Sequence, residues 1–196
     1  MSGGWTRHEG LAVGLPRENV DTDQLIPARF MSTPRAEGYG RFLLHDLRGE
    51  GFPLDAPDAR GASILVARRN FGSGSSREAA VYALVDAGFR AVIAPSFGDI
   101  FAANAVNNGL LPAVAEADAV EALLARAPLT LTIDLAGGTI DGGDMALPIA
   151  LDDTARMKLR EGLDDIDLTA RHGEAIAAYR ARLDAGRDWV WPRAQP

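Results

Sequence analysis

Between Gly72 and Glu78 the chain reads Gly-Ser-Gly-Ser-Ser-Arg-Glu, crowding small residues, hydroxyls and a guanidinium into one short run. Glycines at 72 and 74 let a backbone approach an anion closely. A helix starting just beyond them would aim its first amides and the positive end of its dipole at the same place. Binding a carboxylate or an oxyanion is the chemistry such a loop performs. It is not a Walker-type phosphate loop, because no Lys-Ser/Thr follows the glycines. Nor is it a dinucleotide fingerprint, because Glu78 or Ala79 stands where a third glycine would fall. The same residues also carry a structural reading: Ser75 and Glu78 have the Ser-x-x-Glu spacing of a capping box, each side chain satisfying an amide of the first turn. The two readings are compatible, since a capping geometry leaves a hydroxyl beside amide donors. Arg77 is a bidentate carboxylate partner if it faces a cleft and a solvated helix residue if it does not, and spacing does not choose. A second polar knot, Asn19-Val20-Asp21-Thr22-Asp23-Gln24, precedes Leu25-Ile26-Pro27. Its aspartates suit a turn in which they bond their own backbone, and two carboxylates alone make a weak metal site.

The glycine-rich run needs elements that hold it, and the flanking pattern supplies them. Ile64 to Ala67 is a short apolar run, and after Ser76 the stripe Val81, Leu84, Val85 has helical spacing, stopped at Gly88. Arg90 to Ala94 then reads as a buried strand, completing a strand–helix–strand unit. Ser96 can cap a further helix whose Phe97, Ile100, Phe101, Asn104 and Ala105 share a face, with Gly109 as its terminator. Another helical segment spans Glu116 to Ala127. The alternation Leu129, Leu131, Ile133, Leu135 predicts a strand, and Gly137-Gly138 and Asp141-Gly142-Gly143-Asp144 predict hairpin turns rather than a calcium loop. Residues 34–57, rich in glycine, proline and charge, are expected to form a long mobile loop. From 151 to 196 the chain becomes more polar and helical, with Ile176, Tyr179 and Leu183 at stripe spacing. The expectation is an α/β domain over 1–150 and a C-terminal helical extension over 151–196 packed on that same domain.

Composition narrows the function further. In 196 residues with a formal charge of −7 there is no basic cluster, which argues against nucleic acid or an anionic membrane surface as a partner. The apolar runs are far shorter than a membrane span needs, and the first ten residues lack a signal-peptide core, so a cytoplasmic location is expected. The chain has no cysteine, which rules out disulfides, thiol catalysis and a thiolate-bound cluster on this polypeptide alone. His8, His45 and His172 lie far apart without a zinc-ligand spacing, so no metal site is expected on this chain.

Four landmarks occur in order: Asn19-Val20-Asp21-Thr22-Asp23 with Ile26-Pro27, Asn70-Phe71-Gly72-Ser73-Gly74-Ser75-Ser76-Arg77-Glu78, Gly88 through Phe101, and Asn107-Asn108-Gly109-Leu110-Leu111-Pro112. Together they resemble the small subunits of isopropylmalate isomerases (3-isopropylmalate dehydratases), and the stretch Asp164 to Thr169 resembles that family's C-terminal end. The resemblance covers nearly the whole chain. It implies the swivelling β/β/α domain of the aconitase superfamily and, as partner, a large subunit carrying a [4Fe–4S] cluster. The implied reaction interconverts 2- and 3-isopropylmalate through isopropylmaleate in leucine biosynthesis, without redox change, on a small dicarboxylate substrate.

Carried onto matching positions, the resemblance makes Ser75 the base that removes the carbon-bound proton. Arg77 would hold a substrate carboxylate, and Asp23 would be an active-site aspartate that orients other groups. Gly74 and Ser76 belong to the same substrate loop. The segment after Pro27 matches the one expected to read the substrate's side group. Phe30 and Met31 would line an apolar pocket and Arg29 or Arg35 would hold the distal carboxylate, with ordinary core packing as the alternative. Trp189 and Trp191 are candidates for packing on the partner or on their own domain. The family usually has Cys where Ser73 stands and His where Ala79 stands. That departure leaves open a related diacid, such as methylmalate, dimethylmalate or homoaconitate, and a non-catalytic carboxylate-binding module is the alternative of a different class.

Overall fold

The apolar runs form strands because each supplies side chains to two covered faces. The structure, a computed structural model, describes residues 3–187. Within them lie β1 (Arg7–Leu15), β2 (Ile64–Ala67), β3 (Ala91–Ala94), β4 (Leu111–Val114), β5 (Leu129–Asp134), β6 (Thr139–Asp141) and β7 (Ala146–Pro148). They make one sheet in the order β4-β3-β2-β1-β5-β6-β7. The half from β4 to β1 is parallel, and β5, β6 and β7 add to β1 in antiparallel fashion. Both outermost strands contain a proline, Pro112 in β4 and Pro148 in β7, and the β4 edge also bridges to Ala150 at Val114.

Alternation along the strands sorts the core into two layers. Leu65, Ala67, Val92 and Ala94 point to one face, where they meet Ala80, Val81 and Leu84 of α2 (Glu78–Asp86) and the short α1 (Thr22–Leu25). Ile64, Val66, Ala91 and Ile93 point to the other, covered by Val120 and Leu123 of α4 (Ala117–Arg126) and by Ala155 and Leu159 of α5 (Asp153–Glu161). Between them, α3 (Asp99–Asn107) gives Phe101 and Ala105 to the first layer and Val106 to the second. Full burial of a Val, Leu or Ile side chain stabilises the fold by about 1.5–3 kcal/mol, so strands whose every residue is buried are the stable frame of the molecule.

Chain direction decides which loops can meet. The chain steps outward from β1 to β2, β3 and β4, then returns to the opposite side of β1 with β5. The strand order therefore reverses at β1, and ligands of open α/β sheets bind beyond the carboxyl ends of strands at such a point. The segments leaving β1, β2 and β3 at those ends are the two polar runs singled out from the sequence and the Pro95–Gly98 connection.

Residues 34–57 depart from the expected mobile loop. They fold as successive three-ten turns, Arg35–Glu37, Gly40–Phe42, His45–Leu47 and Pro53–Asp55, and Tyr39, Leu43, Leu44 and Phe52 are buried in the first core layer. Two aromatic and two leucine anchors outweigh the turn-rich composition. The hairpin turns formed as expected: the Asp134 carboxylate accepts from the amides of Ala136 and Gly137, and Asp141 accepts from Gly143.

The chain divides into compact units Met1–Leu163 and Asp164–Pro196. The second holds α6 (Asp165–Ala170), opened by a reciprocal capping box between Asp164 and Asp167, and α7 (Gly173–Gly186). The expected stripe of α7 is not a buried one, since Ile176 and Tyr179 are exposed. Trp189 and Trp191 lie outside the described residues.

His8, on β1, bonds Ser63 Oγ through Nε2 at 2.7 Å and meets the edge of Trp5. Burial, followed by the nearby charge of Arg90, pushes its pKa below the usual histidine value. The unfolded chain then binds a proton more readily than the folded one. The associated stability is present above the ordinary value of about 6.5 and is lost as pH falls through the lowered one. Thermal unfolding measured between pH 7.5 and 5.5 is expected to show a falling midpoint, with a shallower slope in a His8→Gln variant.

Candidate active site

The two polar runs are stitched together by backbone before any side chain contributes. The Gly72 amide donates to the Val20 carbonyl at 2.7 Å and the Thr22 amide to the Ser73 carbonyl at 3.0 Å, a parallel bridge between Asp21 and Ser73. One step earlier, the Asn70 side-chain amide donates to Asn19 Oδ1 at 2.8 Å, and both asparagines hold left-handed backbone, as this residue type tolerates. On the other flank, Phe71 bridges to Phe97. Gly72, at φ +72°, lies so close to the Phe101 ring that a Cβ would sit 2.2 Å from it, and a Cβ on Gly98 would sit 2.6 Å from the Gly72 carbonyl oxygen. Three connections thus converge, and glycine is required where they touch.

The expected capping box is absent. α2 begins at Glu78 with Arg77 in the cap position and no side-chain cap, so Ser75 stands two residues outside the helix. The Glu78 carboxylate instead accepts from Asn108 Nδ2 at 2.9 Å, at the far end of α3. Ser96 likewise does not cap α3, which starts from Gly98. Its hydroxyl accepts from the Asn70 amide at 2.9 Å and supports the loop. Ile100, expected on the packed face of α3, is exposed.

With no cap, the backbone amides from Ser75 to Ala79 donate to no protein group among the described residues, while the loop from Gly74 to Ser76 is exposed. Unsatisfied donors at a helix start, at the positive end of its dipole, form a ready site for negative charge. Ser75 and Arg77 both turn towards α1. The Ser75 hydroxyl lies 3.2 Å from Thr22 Oγ1, and Arg77 makes an ion pair with Asp23, the next residue. Asp21 caps α1, its carboxylate accepting from the Gln24 amide at 2.7 Å, which fixes the turn presenting both. Arg77 keeps 21% of its side chain exposed and Asp23 59%, so this pair lies at an accessible surface.

The loop after Pro27 is organised differently. Arg29 is paired with Asp46 and lies over the Phe30 ring at 4.5 Å, and Phe30 stacks on Phe42 at 4.3 Å. The hydrogen bond from Arg29, then that from His45, brings the Asp46 carboxyl down to about 2. Arg35 forks onto Asp86 at 2.7 and 3.0 Å and covers Tyr82 at 4.3 Å. Asp86 ends α2, about 12 Å of helix beyond its start. The structure thus brings Ser75, Ser76, Gly74, Arg77 and Asp23 together. It holds Arg35 at the opposite end of α2, and gives both candidate distal arginines a carboxylate partner within the chain. Met31 is exposed. The sequence pattern did not single out Thr22; its only signal was a β-branched hydroxyl set between two aspartates.

A mixed sheet with its Ser-Arg loop at the point of strand reversal defines a class of protein, and the chain belongs to it: the aconitase C-terminal domain family, whose model matches residues 3–118. A 3-isopropylmalate dehydratase small subunit from Frankia alni is 47% identical over 186 residues, covering 92% of this chain and 95% of that one. The small subunit from Acidothermus cellulolyticus is also 47% identical over 186 residues, covering 92% and 94%. A crystal structure of 3-isopropylmalate dehydratase from Methanocaldococcus jannaschii superposes with a TM-score of 0.69 at 30% identity, covering 89% of this chain and 99% of that one. Within the family, the chain groups with the small subunits of 3-isopropylmalate dehydratase.

The close approach at Gly72 sets an expectation for stability. Alanine there meets a strained left-handed φ and the buried Phe101 ring together, so Gly72→Ala is expected to cost about 2–4 kcal/mol in urea unfolding. An unchanged midpoint would show that the loop does not rest on Phe101.

Proposed function

We propose that this chain is the small subunit of a heteromeric hydro-lyase that interconverts 2-isopropylmalate and 3-isopropylmalate through isopropylmaleate. In this reading Ser75 is the group that takes and returns the carbon-bound proton. The observation that carries the site assignment is that an exposed Ser75, five backbone amides without acceptors among the described residues and the Arg77 guanidinium lie on one accessible turn. The substrate class rests on the names of the relatives.

The chemistry derives from those groups. A hydroxyl is a weak base at neutral pH, so its oxyanion must be stabilised where it forms, by fixed donors and a cation in a site that excludes water. Arg77 would hold a substrate carboxylate with its planar fork, sharing it with Asp23, while the amides around Ser76 receive the remaining negative charge. Ser75 Oγ, as the oxyanion, accepts the proton and becomes a neutral hydroxyl; the electron pair of the broken C–H bond forms the carbon–carbon double bond as hydroxide leaves the neighbouring carbon, a departure for which the large subunit's cluster would supply the Lewis acid. Hydration runs the same steps backwards.

The [4Fe–4S] cluster belongs, in this reading, to the large subunit. The present chain has no cysteine, and no group of three or more metal-binding side chains is placed together among the described residues. Phe30 and Met31 would read the isopropyl group, and Arg29 or Arg35 would engage the second carboxylate after exchanging its internal partner. A cytoplasmic location without membrane or nucleic-acid partners fits the charge of −7 and the lack of any helix, among the described residues, long and apolar enough to cross a bilayer.

Anaerobic reconstitution with the cognate large subunit tests this directly, by the ultraviolet absorbance of isopropylmaleate. Ser75→Ala is expected to lower kcat about 10²–10⁴-fold while still binding the partner. Arg77→Lys, which keeps charge but loses the fork, should raise KM as well as lower kcat. Full activity from Ser75→Ala would end the catalytic assignment. Turnover of methylmalate, dimethylmalate or homoaconitate alone would move the substrate, and a stable complex inert to every diacid would mark a binding module.

A further inference from the structure

Thr22 is 2% exposed, and its hydroxyl faces two oxygens of one residue, the Ser75 carbonyl at 3.1 Å and the Ser75 hydroxyl at 3.2 Å. A threonine hydroxyl has one proton to give and two lone pairs with which to accept. While Ser75 is neutral, both contacts are satisfied together: Thr22 donates to the carbonyl and Ser75 donates its own proton to Thr22 Oγ1. Once Ser75 Oγ is an oxyanion it can only accept. The Thr22 proton can then reach it by rotation about the Cβ–Oγ1 bond, with no heavy atom displaced.

We infer that Thr22 is the positioning residue of the proton-transfer step: it fixes the Ser75 side chain and acts as a switching donor, bonded to the Ser75 carbonyl in one protonation state and to the Ser75 oxyanion in the other. This rests on the proposal that Ser75 is the proton acceptor. Burial gives the arrangement its force. Thr22 sits between Val20 and Leu25, both fully buried, where a hydroxyl costs stability unless bonded and no bulk water can take its place. Its own amide donates to the Ser73 carbonyl, which holds the Thr22 backbone in register with the serine loop. If packing were the whole role, valine would fill the same volume without a hydroxyl to satisfy. Thr22 exchanges no proton with substrate, so the abstracted proton stays on Ser75 Oγ until it is returned to carbon.

The test uses the assembled two-subunit enzyme with Thr22→Val, Thr22→Ser, Ser75→Ala and the Thr22→Val/Ser75→Ala pair. Thr22→Val is expected to lower kcat about 10–100-fold with KM within about threefold. It should also move the acidic limb of the kcat–pH profile upward by about one unit. Thr22→Ser should recover activity to within about threefold, and Thr22→Val should add no loss on top of Ser75→Ala. Wild-type kcat in Thr22→Val beside an inactive Ser75→Ala overturns the switching role and leaves the serine assignment standing. Retained activity in Ser75→Ala removes both. If Thr22→Val does not fold, Thr22→Ala takes its place in the comparison with Thr22→Ser. Equal impairment of those two, with normal partner binding, also overturns the inference.

Discussion

The architecture hinges on two backbone hydrogen bonds, from Gly72 to Val20 and from Thr22 to Ser73. They join the segments leaving β1 and β2 just beyond the sheet, where the ladder of β-pairing has ended, and together with the Asn19 amide on the Arg69 carbonyl and the Asn70 side chain on Asn19 they keep the two segments in register. Gly72 and Thr22 are themselves buried, so breaking either bond would strand a polar group away from water. The side chains depend on that register. A slip of one residue would take Ser75 away from Thr22 and Arg77 away from Asp23 at once.

The junction imposes residue types on its surroundings. Gly72 lets the Phe101 ring press against the loop, Gly98 lets the Gly72 carbonyl lie close to the start of α3, and Asn19 and Asn70 absorb the left-handed turns on either side. What is left over is an exposed stretch with free amides and a half-buried guanidinium. The rigid sheet supplies position, and the uncapped helix start supplies unspent donors. A capping box would have strengthened α2 by satisfying amides that the proposed carboxylate site needs open. The Glu78 carboxylate is instead drawn to Asn108, which ties the start of α2 to the end of α3 and leaves the Ser75 hydroxyl to Thr22.

Much of this was legible in the residues. The strand–helix–strand unit around the glycine run, the hairpins after Leu129 and the glycine stops at 88 and 109 come from local pattern and turn chemistry, and each stands where the pattern put it. β1 was not legible. Arg7 to Leu15 mixes charge and glycine with its apolar residues, because half of that strand pairs with β5 under a partly open face while the rest is buried in the centre of the sheet. The turns of residues 34–57 were hidden for the opposite reason. Their glycines and prolines are conspicuous, whereas the anchoring role of Tyr39, Leu43, Leu44 and Phe52 depends on a core that only the tertiary fold creates. The roles of Ser96, Glu78 and Thr22 were misread or missed because each partner lies at least 26 positions away in sequence. Spacing rules see only neighbours.

The outer margins of the sheet have their own consequence. The open flanks of a β-sheet are where identical chains can fuse into filaments. Pro112 and Pro148 each withhold an amide from those flanks, β7 is only three residues long, and Ala150 occupies part of the rim beside Val114. The margin is therefore a poor template for strand addition, and the free chain is guarded against polymerising with its own kind.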